Sequence, residues 1–212
     1  MCAASSWYWA LRRKAVPVKG NLKSEQAGII QRAKAGDLEA FRQIHELYGR
    51  RILNFIYRMV ESREDAEDLS QNVFLIAFHE LKELQDPAKF ESWLYRIARN
   101  EVYQSFRRRR ADPPSVETGY ARRDERDMSL DPVDQRPSPH DQVLNRELGD
   151  TIKGVLTSLP PKLKEVFVLS VIHGKSYAEI SEIVGRSLLS VKTDIFRARG
   201  FARKHLGKYL ET

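Results

Sequence analysis

Apolar residues recur every three or four positions along most of this chain, and strand-like alternation of useful length occurs nowhere, so the pattern predicts an all-α protein. From Leu38 the positions Phe41, Ile44, Tyr48, Ile52, Phe55, Ile56 and Met59 trace one stripe of a long amphipathic helix, the expected spine of a first core. Before it, Ser24 is expected to cap a short helix through Ala35, with Ile30 and Ala33 inward, and Gly36-Asp37 ends it. After it, Ser62-Arg63-Glu64-Asp65 has the form of a capping box. That box opens a helix with Ala66, Leu69, Val73, Ile76, Ala77 and Leu81 inward and Asp65, Asp68, Gln71 and Asn72 outward. The same helix also shows Phe74, Leu75 and Phe78, more apolar surface than one buried face needs. Asp86-Pro87 breaks the run.

The next helix, from Phe90 to Arg110, carries two stripes. Leu94, Ile97, Ala98 and Val102 form an apolar one, while Arg96, Arg99, Tyr103, Arg107 and Arg110 form the other. On the second, guanidinium groups alternate with the rings of Trp93, Tyr95, Tyr103 and Phe106 rather than with carboxylates. Arginine pairs with phosphate and aromatic rings stack on unpaired bases. An ordinary amphipathic helix with an arginine-rich end satisfies the same residues, and the helix alone does not separate the two readings.

From Ala111 to about His140 prolines, glycine and charges replace large apolar residues, a composition that cannot bury enough to fold alone. It is expected to be a flexible linker between two small helical domains. Beyond it, Ser138-Pro139 opens a helix with Val143, Leu144, Leu148, Ile152, Val155 and Leu156 inward. Pro160-Pro161 ends that helix and starts another holding Leu163, Val166, Phe167, Leu169 and Val171. A second capping box, Ser176-Tyr177-Ala178-Glu179, leads through Ile180, Ile183 and Val184 to Gly185 and then to a basic helix from Leu188 to about Leu206. Two helices joined by a glycine turn, the second ending in Arg197, Arg199, Arg203 and Lys204, describe a helix-turn-helix. In that geometry Lys192, Thr193, Phe196 and Arg197 reach base edges or a thymine methyl, and Arg186, Ser187, Arg199 and Arg203 grip phosphates.

A net charge of +7 favours a polyanionic partner. The single cysteine, Cys2, excludes an internal disulfide framework and fits a reducing compartment. No apolar run reaches the length of a membrane-spanning helix. The five histidines show no metal-ligand spacing, and glycine-rich phosphate loops and nucleophile motifs are missing, so neither enzymatic activity nor a cofactor is expected.

Four segments taken together resemble bacterial sigma factors of the extracytoplasmic function group: Asp65-Ala-Glu-Asp-Leu-Ser-Gln-Asn-Val-Phe, Phe90-Glu-Ser-Trp-Leu-Tyr-Arg-Ile-Ala-Arg-Asn, Leu159-Pro-Pro-Lys-Leu-Lys-Glu-Val-Phe, and Ser176-Tyr-Ala-Glu-Ile-Ser-Glu-Ile-Val-Gly with Ser190-Val-Lys-Thr and Arg197-Ala-Arg. The resemblance implies a loose extension over residues 1–23, a core-polymerase and minus-ten domain over 24–110, a linker over 111–137 and a minus-thirty-five domain over 138–212. It assigns Asp65, Asp68, Leu69, Gln71, Asn72 and Phe74 to core RNA polymerase. Trp93, Tyr95, Arg96, Arg99, Asn100, Tyr103 and Arg107 would read and melt minus-ten DNA, with the Leu84 to Ser92 loop taking an extruded base. Arg186, Ser187, Ser190, Lys192, Thr193, Phe196, Arg197 and Arg199 would read the minus-thirty-five duplex. It also implies a cytoplasmic protein controlled by an anti-sigma factor.

Three positions depart from the family pattern: Asn72 replaces a usual glutamate, Leu189 a usual glycine, and Asp194 a common arginine. On a groove-facing helix Asp194 is expected to repel phosphate unless it accepts from a cytosine amino group. Two other classes fit parts of the sequence. One is a self-sufficient helix-turn-helix regulator, and the other an RNA-binding protein using residues 93–110 on single strands.

Overall fold

The computed structural model describes the backbone of residues 20–111 and 153–210 and the side chains of residues 25–111 and 153–204. Among these residues all regular structure is helical. In the first domain, helices α1 (Gly20–Lys34), α2 (Leu38–Val60), α3 (Arg63–Glu80) and α4 (Phe90–Ala111) follow one another, with short 3-10 turns at Leu81–Glu83 and Pro87–Lys89 between the last two. The second domain has a helical stretch over residues 153–158, then α5 (Pro161–Phe167), a π-turn (Val168–Ile172), α6 (Tyr177–Val184) and α7 (Leu188–Leu210). Of the expected extension over residues 1–23, positions 1–19 lie outside the described residues and 20–23 are helical; the linker after Ala111 and the helix start at Ser138-Pro139 also lie outside them.

Helix boundaries follow local chemistry. Asp37 caps α2 by accepting from Glu39 N–H at 2.9 Å and Ala40 N–H at 3.1 Å. Glu61 ends α2 in the left-handed region at φ 63°, where its N–H reaches Tyr57 O at 2.8 Å. At α3 only half of the expected capping box forms, since Ser62 Oγ accepts from Asp65 N–H at 3.3 Å while the Asp65 carboxylate pairs with Arg109 at 2.5 Å. The box at α6 is complete: Glu179 N–H donates to Ser176 Oγ at 3.3 Å, and Ser176 N–H donates to Glu179 Oε2 at 2.8 Å. Gly185 then turns the chain at φ 66°, a conformation that costs glycine little. One boundary differs from expectation, because α1 begins at Gly20, ahead of the Ser24 cap.

The predicted stripes form the core. Ile44, Ile52, Phe55 and Ile56 of α2 pack with Ala66, Val73 and Ala77 of α3 and with Leu94, Ala98 and Val102 of α4, all buried. The second core joins Val155, Leu156 and Leu159 to Val166, Phe167, Ile180, Ile183, Val191 and Ile195. The two domains are not separate bodies. Helix α4 lies against α6, and α2 lies against α5 and the π-turn, so one buried cluster runs through both domains.

Leu94 is fully buried where α2, α3 and α4 converge. Its replacement by alanine removes apolar contacts and leaves a cavity, so Leu94→Ala should lower unfolding free energy by about 2–5 kcal/mol, measured by urea denaturation followed by circular dichroism.

Candidate nucleic-acid interface

Helix α4 presents cations at its middle and along its last turn. Arg96, Asn100, Arg107, Arg108, Arg109 and Arg110 are exposed. Trp93 lies half-buried against Phe90, with ring centroids 5.7 Å apart. Trp93 and Arg96 also line a cleft of about 390 Å³ with Glu80, Glu83, Leu84 and Gln85, beside the loop expected to receive an extruded base. A second groove of about 370 Å³ runs along Arg99, Asn100, Glu101, Tyr103, Gln104 and Arg107. Guanidinium groups beside ring edges suit a nucleic-acid backbone with unpaired bases, while Glu80, Glu83 and Glu101 line the same recesses.

Three of the expected strand-facing residues are engaged elsewhere. Tyr95 is sealed at 1% exposure between the domains, its hydroxyl 2.9 Å from His173 Nδ1 and its ring edge-to-face with Phe55 at 5.5 Å. Burial raises the Tyr95 pKa, keeping the hydroxyl protonated, and lowers that of His173 to about 3, with Lys175 adding to the effect on the imidazole. Arg99 Nε donates to Glu165 Oε1 at 2.8 Å, and the Tyr103 hydroxyl donates to Glu165 Oε2 at 2.6 Å. Desolvation, then the Glu165 charge, raises the Tyr103 pKa. In this arrangement the ring of Tyr95 is not available for stacking.

On α3, Asp68, Gln71 and Asn72 are exposed, whereas Leu69 and Phe74 are buried in the domain's own core. Phe74 packs edge-on to His45 at 4.6 Å. The exposed apolar groups of this surface are instead Leu75 and Phe78, the latter edge-on to Phe41 at 5.0 Å. Asp65 is tied to α4 through Arg109; burial opposes its ionisation, but the Arg109 and Ser62 hydrogen bonds outweigh this and lower its pKa.

The helix-turn-helix presents Ser187, Leu188, Leu189, Lys192, Thr193, Phe196 and Arg197 on the outer face of α7, with Ser190 and Arg199 half-buried. Ser187 Oγ accepts from Ser190 N–H at 3.3 Å, capping the helix. The expectation for Asp194 is corrected: its side chain points inward, 3% exposed, and pairs with Arg186 and, at 3.5 Å, with Lys162. It therefore offers no negative charge to a groove. Arg186, expected on phosphate, is held by Asp194 and lies 3.8 Å from Glu165. Leu189 and Phe196, 76% and 77% exposed, stand with Lys192 and Thr193 on one helical face. The Thr193 hydroxyl bonds back to Leu189 O at 3.0 Å. Leu75, Phe78 and Leu189 were missed in sequence-based site assignment; a surplus of apolar residues over the buried stripe is the signal that marks them.

The sigma-70 region 2 family matches residues 44–111 and the sigma-70 region 4 family residues 150–201. The extracytoplasmic-function sigma factor SigW of Bacillus subtilis is 34% identical over 177 residues, which are 84% of this chain and 94% of that protein. The chain belongs to the sigma-70 family, in its extracytoplasmic-function group. Another member, the sigma-E factor of Escherichia coli K12, is 29% identical, with 81% of this chain and 88% of that protein covered. The fold is that of CnrH in complex with the cytosolic domain of CnrY (TM-score 0.63, 24% identity, 86% of this chain and 97% of that one). It is also that of the sigma factor RpoE bound to the anti-sigma factor NepR from Bartonella quintana (TM-score 0.62, 23% identity, 79% and 96% covered). Among the described residues of this sigma factor, no helix is long and apolar enough to cross a membrane, and no group of three acidic, histidine or cysteine side chains is placed to hold a metal.

The depressed pKa of His173 means that the folded state resists protonation there, so its contribution to stability is complete above the unfolded histidine value of about 6.5. That contribution is lost progressively as pH falls from about 6.5 toward about 3. The urea midpoint should accordingly drop between pH 6.5 and about 5, before most carboxylates titrate, and His173→Gln should flatten this part of the profile.

Proposed function

We propose that this sigma factor docks on core RNA polymerase through α3, opens promoter DNA along α4 and reads an upstream duplex element through α7. The observation that carries the reading is the coexistence in one chain of an acidic and apolar surface with two separate cationic helices. Asp68, Gln71 and Asn72 with Leu75 and Phe78 suit a protein partner, since a mixed polar and apolar patch gains from desolvation as well as charge. Leu69 and Phe74 act there by holding α3 in place from beneath.

On α4, Arg96, Asn100 and Arg107 hold the backbone of a displaced strand and Trp93 supplies a stacking ring, joined by Arg99 and Tyr103 when these are released from Glu165. Stacking one base on an aromatic side chain contributes about 1–3 kcal/mol, comparable to the cost of unstacking one base. Binding energy therefore suffices to open the strands, and the chain needs neither a catalytic centre nor a cofactor. On α7, Ser190, Lys192, Thr193, Phe196 and Arg197 face the major groove, with Ser187 and Arg199 toward phosphates, joined by Arg186 when it is released from Asp194. The protein acts in the cytoplasm, and an anti-sigma factor covering its polymerase-facing surfaces controls it, as complexes of related fold suggest.

Reconstitution tests the reading: with its cognate core polymerase the chain should yield discrete promoter-specific transcripts, and Asp68→Arg should abolish co-purification with that polymerase without changing the circular dichroism spectrum. Failure to direct any transcript, or undiminished co-purification, would overturn the respective assignment. The outer face of α7 makes a finer prediction. Leu189 and Phe196 offer apolar contact to thymine methyl groups, so replacing a contacted thymine by deoxyuridine should weaken binding of the polymerase complex about four-fold, as expected for ~0.8 kcal/mol per buried methyl. The penalty should vanish in Leu189→Ala or Phe196→Ala.

A further inference from the structure

Base contacts specify a duplex sequence, whereas phosphate contacts hold any sequence alike. In α7 the balance between the two is set by a carboxylate that faces away from solvent. Asp194 is buried and pairs with Arg186 on one side and with Lys162 of α5, at 3.5 Å, on the other. The backbone of Arg186 is anchored to α6 in both directions. Its N–H donates to Ser181 O at 3.3 Å, and its carbonyl accepts from the Ser181 hydroxyl at 2.5 Å. From that fixed turn the guanidinium reaches inward, between Asp194 and Glu165, the latter 3.8 Å away.

We propose that Asp194 is a positioning residue that governs the release of Arg186 and, in the native chain, withholds it from DNA phosphate, so that duplex reading by α7 rests mainly on base-edge contacts. This rests on the duplex-reading role proposed above for α7. Arg186 stands at the entrance to that helix, where the backbone N–H groups and the helix dipole favour an anion. To reach a phosphate there it must leave a carboxylate that has almost no access to water. Uncovering a buried charge costs more than a solvent-exposed ion pair returns, and Lys162, exposed and more distant, is a weak substitute. What the outer face then offers in its first turns is Leu189 and Phe196 beside Lys192, Thr193 and Arg197. Apolar contacts of this kind depend on the groups that a base edge carries and are not screened by salt. The native face therefore binds with one phosphate contact fewer than its sequence suggests.

The salt dependence of promoter binding tests this, measured on the complex of the full chain with core polymerase and on promoter fragments with the upstream element intact or scrambled. On duplex DNA the logarithm of the binding constant falls with the logarithm of salt concentration by about 0.9 for each phosphate neutralised. Asp194→Asn should steepen that slope by about 0.9, an extra loss of about 3.5-fold between about 50 and 200 mM salt, and adding Arg186→Met should remove the increment. Because Asp194 is buried, Asp194→Asn with Lys162→Met serves as a second variant. It also removes the cation that the amide leaves unbalanced, and it keeps the net charge of the native chain, so the same steepening there reports a new contact rather than total charge. An unchanged slope in both variants overturns the proposal, and so does an increment that survives Arg186→Met. If the native complex binds intact and scrambled upstream elements equally, duplex reading by α7 falls and this proposal with it. Dependence on that element together with unchanged slopes overturns this proposal alone.

Discussion

A carboxylate removed from water must be matched by donors, and in this sigma factor the matching of Glu165 decides how the two domains meet. Removing an ion from water costs several kcal/mol even after relaxation, so the site is stable only because Arg99 and Tyr103 complete it from the other domain. The same two side chains line the groove along α4. The contact between the domains and the lining of that groove thus draw on one set of donors. Lys164, beside Glu165 in sequence and also buried, reaches across to Glu61 at the end of α2, which places opposite charges in register along the contact. The left-handed backbone of Glu61 contributes, because it turns the chain sharply at the point where that carboxylate meets the second domain.

The helices and their caps were legible in the sequence because they depend on neighbours within a few positions. Asp37, Ser62, Ser176 and Gly185 all act within three or four residues of their own place, and the resulting stripes built the cores as expected. What periodicity conveys less well is the width of a buried stripe. Tyr95 follows Leu94 and precedes Ala98 and Val102 by three and seven positions, so it belongs to the inward arc although its hydroxyl suggests otherwise. Asp194 falls between Val191 and Ile195 and four before Ala198, again inside the arc. Its neighbours in sequence implied burial, and its charge implied the opposite. Arg186 and Lys162, distant by eight and thirty-two positions, resolve the conflict by supplying the countercharge. Phe74 shows the reverse error, an inward ring assigned outward while Leu75 and Phe78 took the surface.

Contacts between the domains could not be read from pattern at all, since they join residues separated by sixty to a hundred positions with no shared period. Tyr95 and His173 illustrate this. Each looks unremarkable alone, and only the π-turn before His173 and the packing of α4 bring the hydroxyl and imidazole to 2.9 Å. Both pKa shifts favour the uncharged forms, so this contact adds a neutral hydrogen bond within a ring of ion pairs.

That combination bears on how firmly the domains hold together. The flanking pairs join a lysine with little exposure to a glutamate about one-third exposed, Lys164 with Glu61 and Lys175 with Glu91, and pairs near water stabilise by about a kcal/mol or less. Neutral contacts such as Tyr95 with His173 and with Phe55 are not screened by salt and add a component that ions cannot remove. The central Glu165 site contributes mainly specificity, because breaking it without replacement leaves a buried charge, whereas replacing its donors by water in an opened form does not.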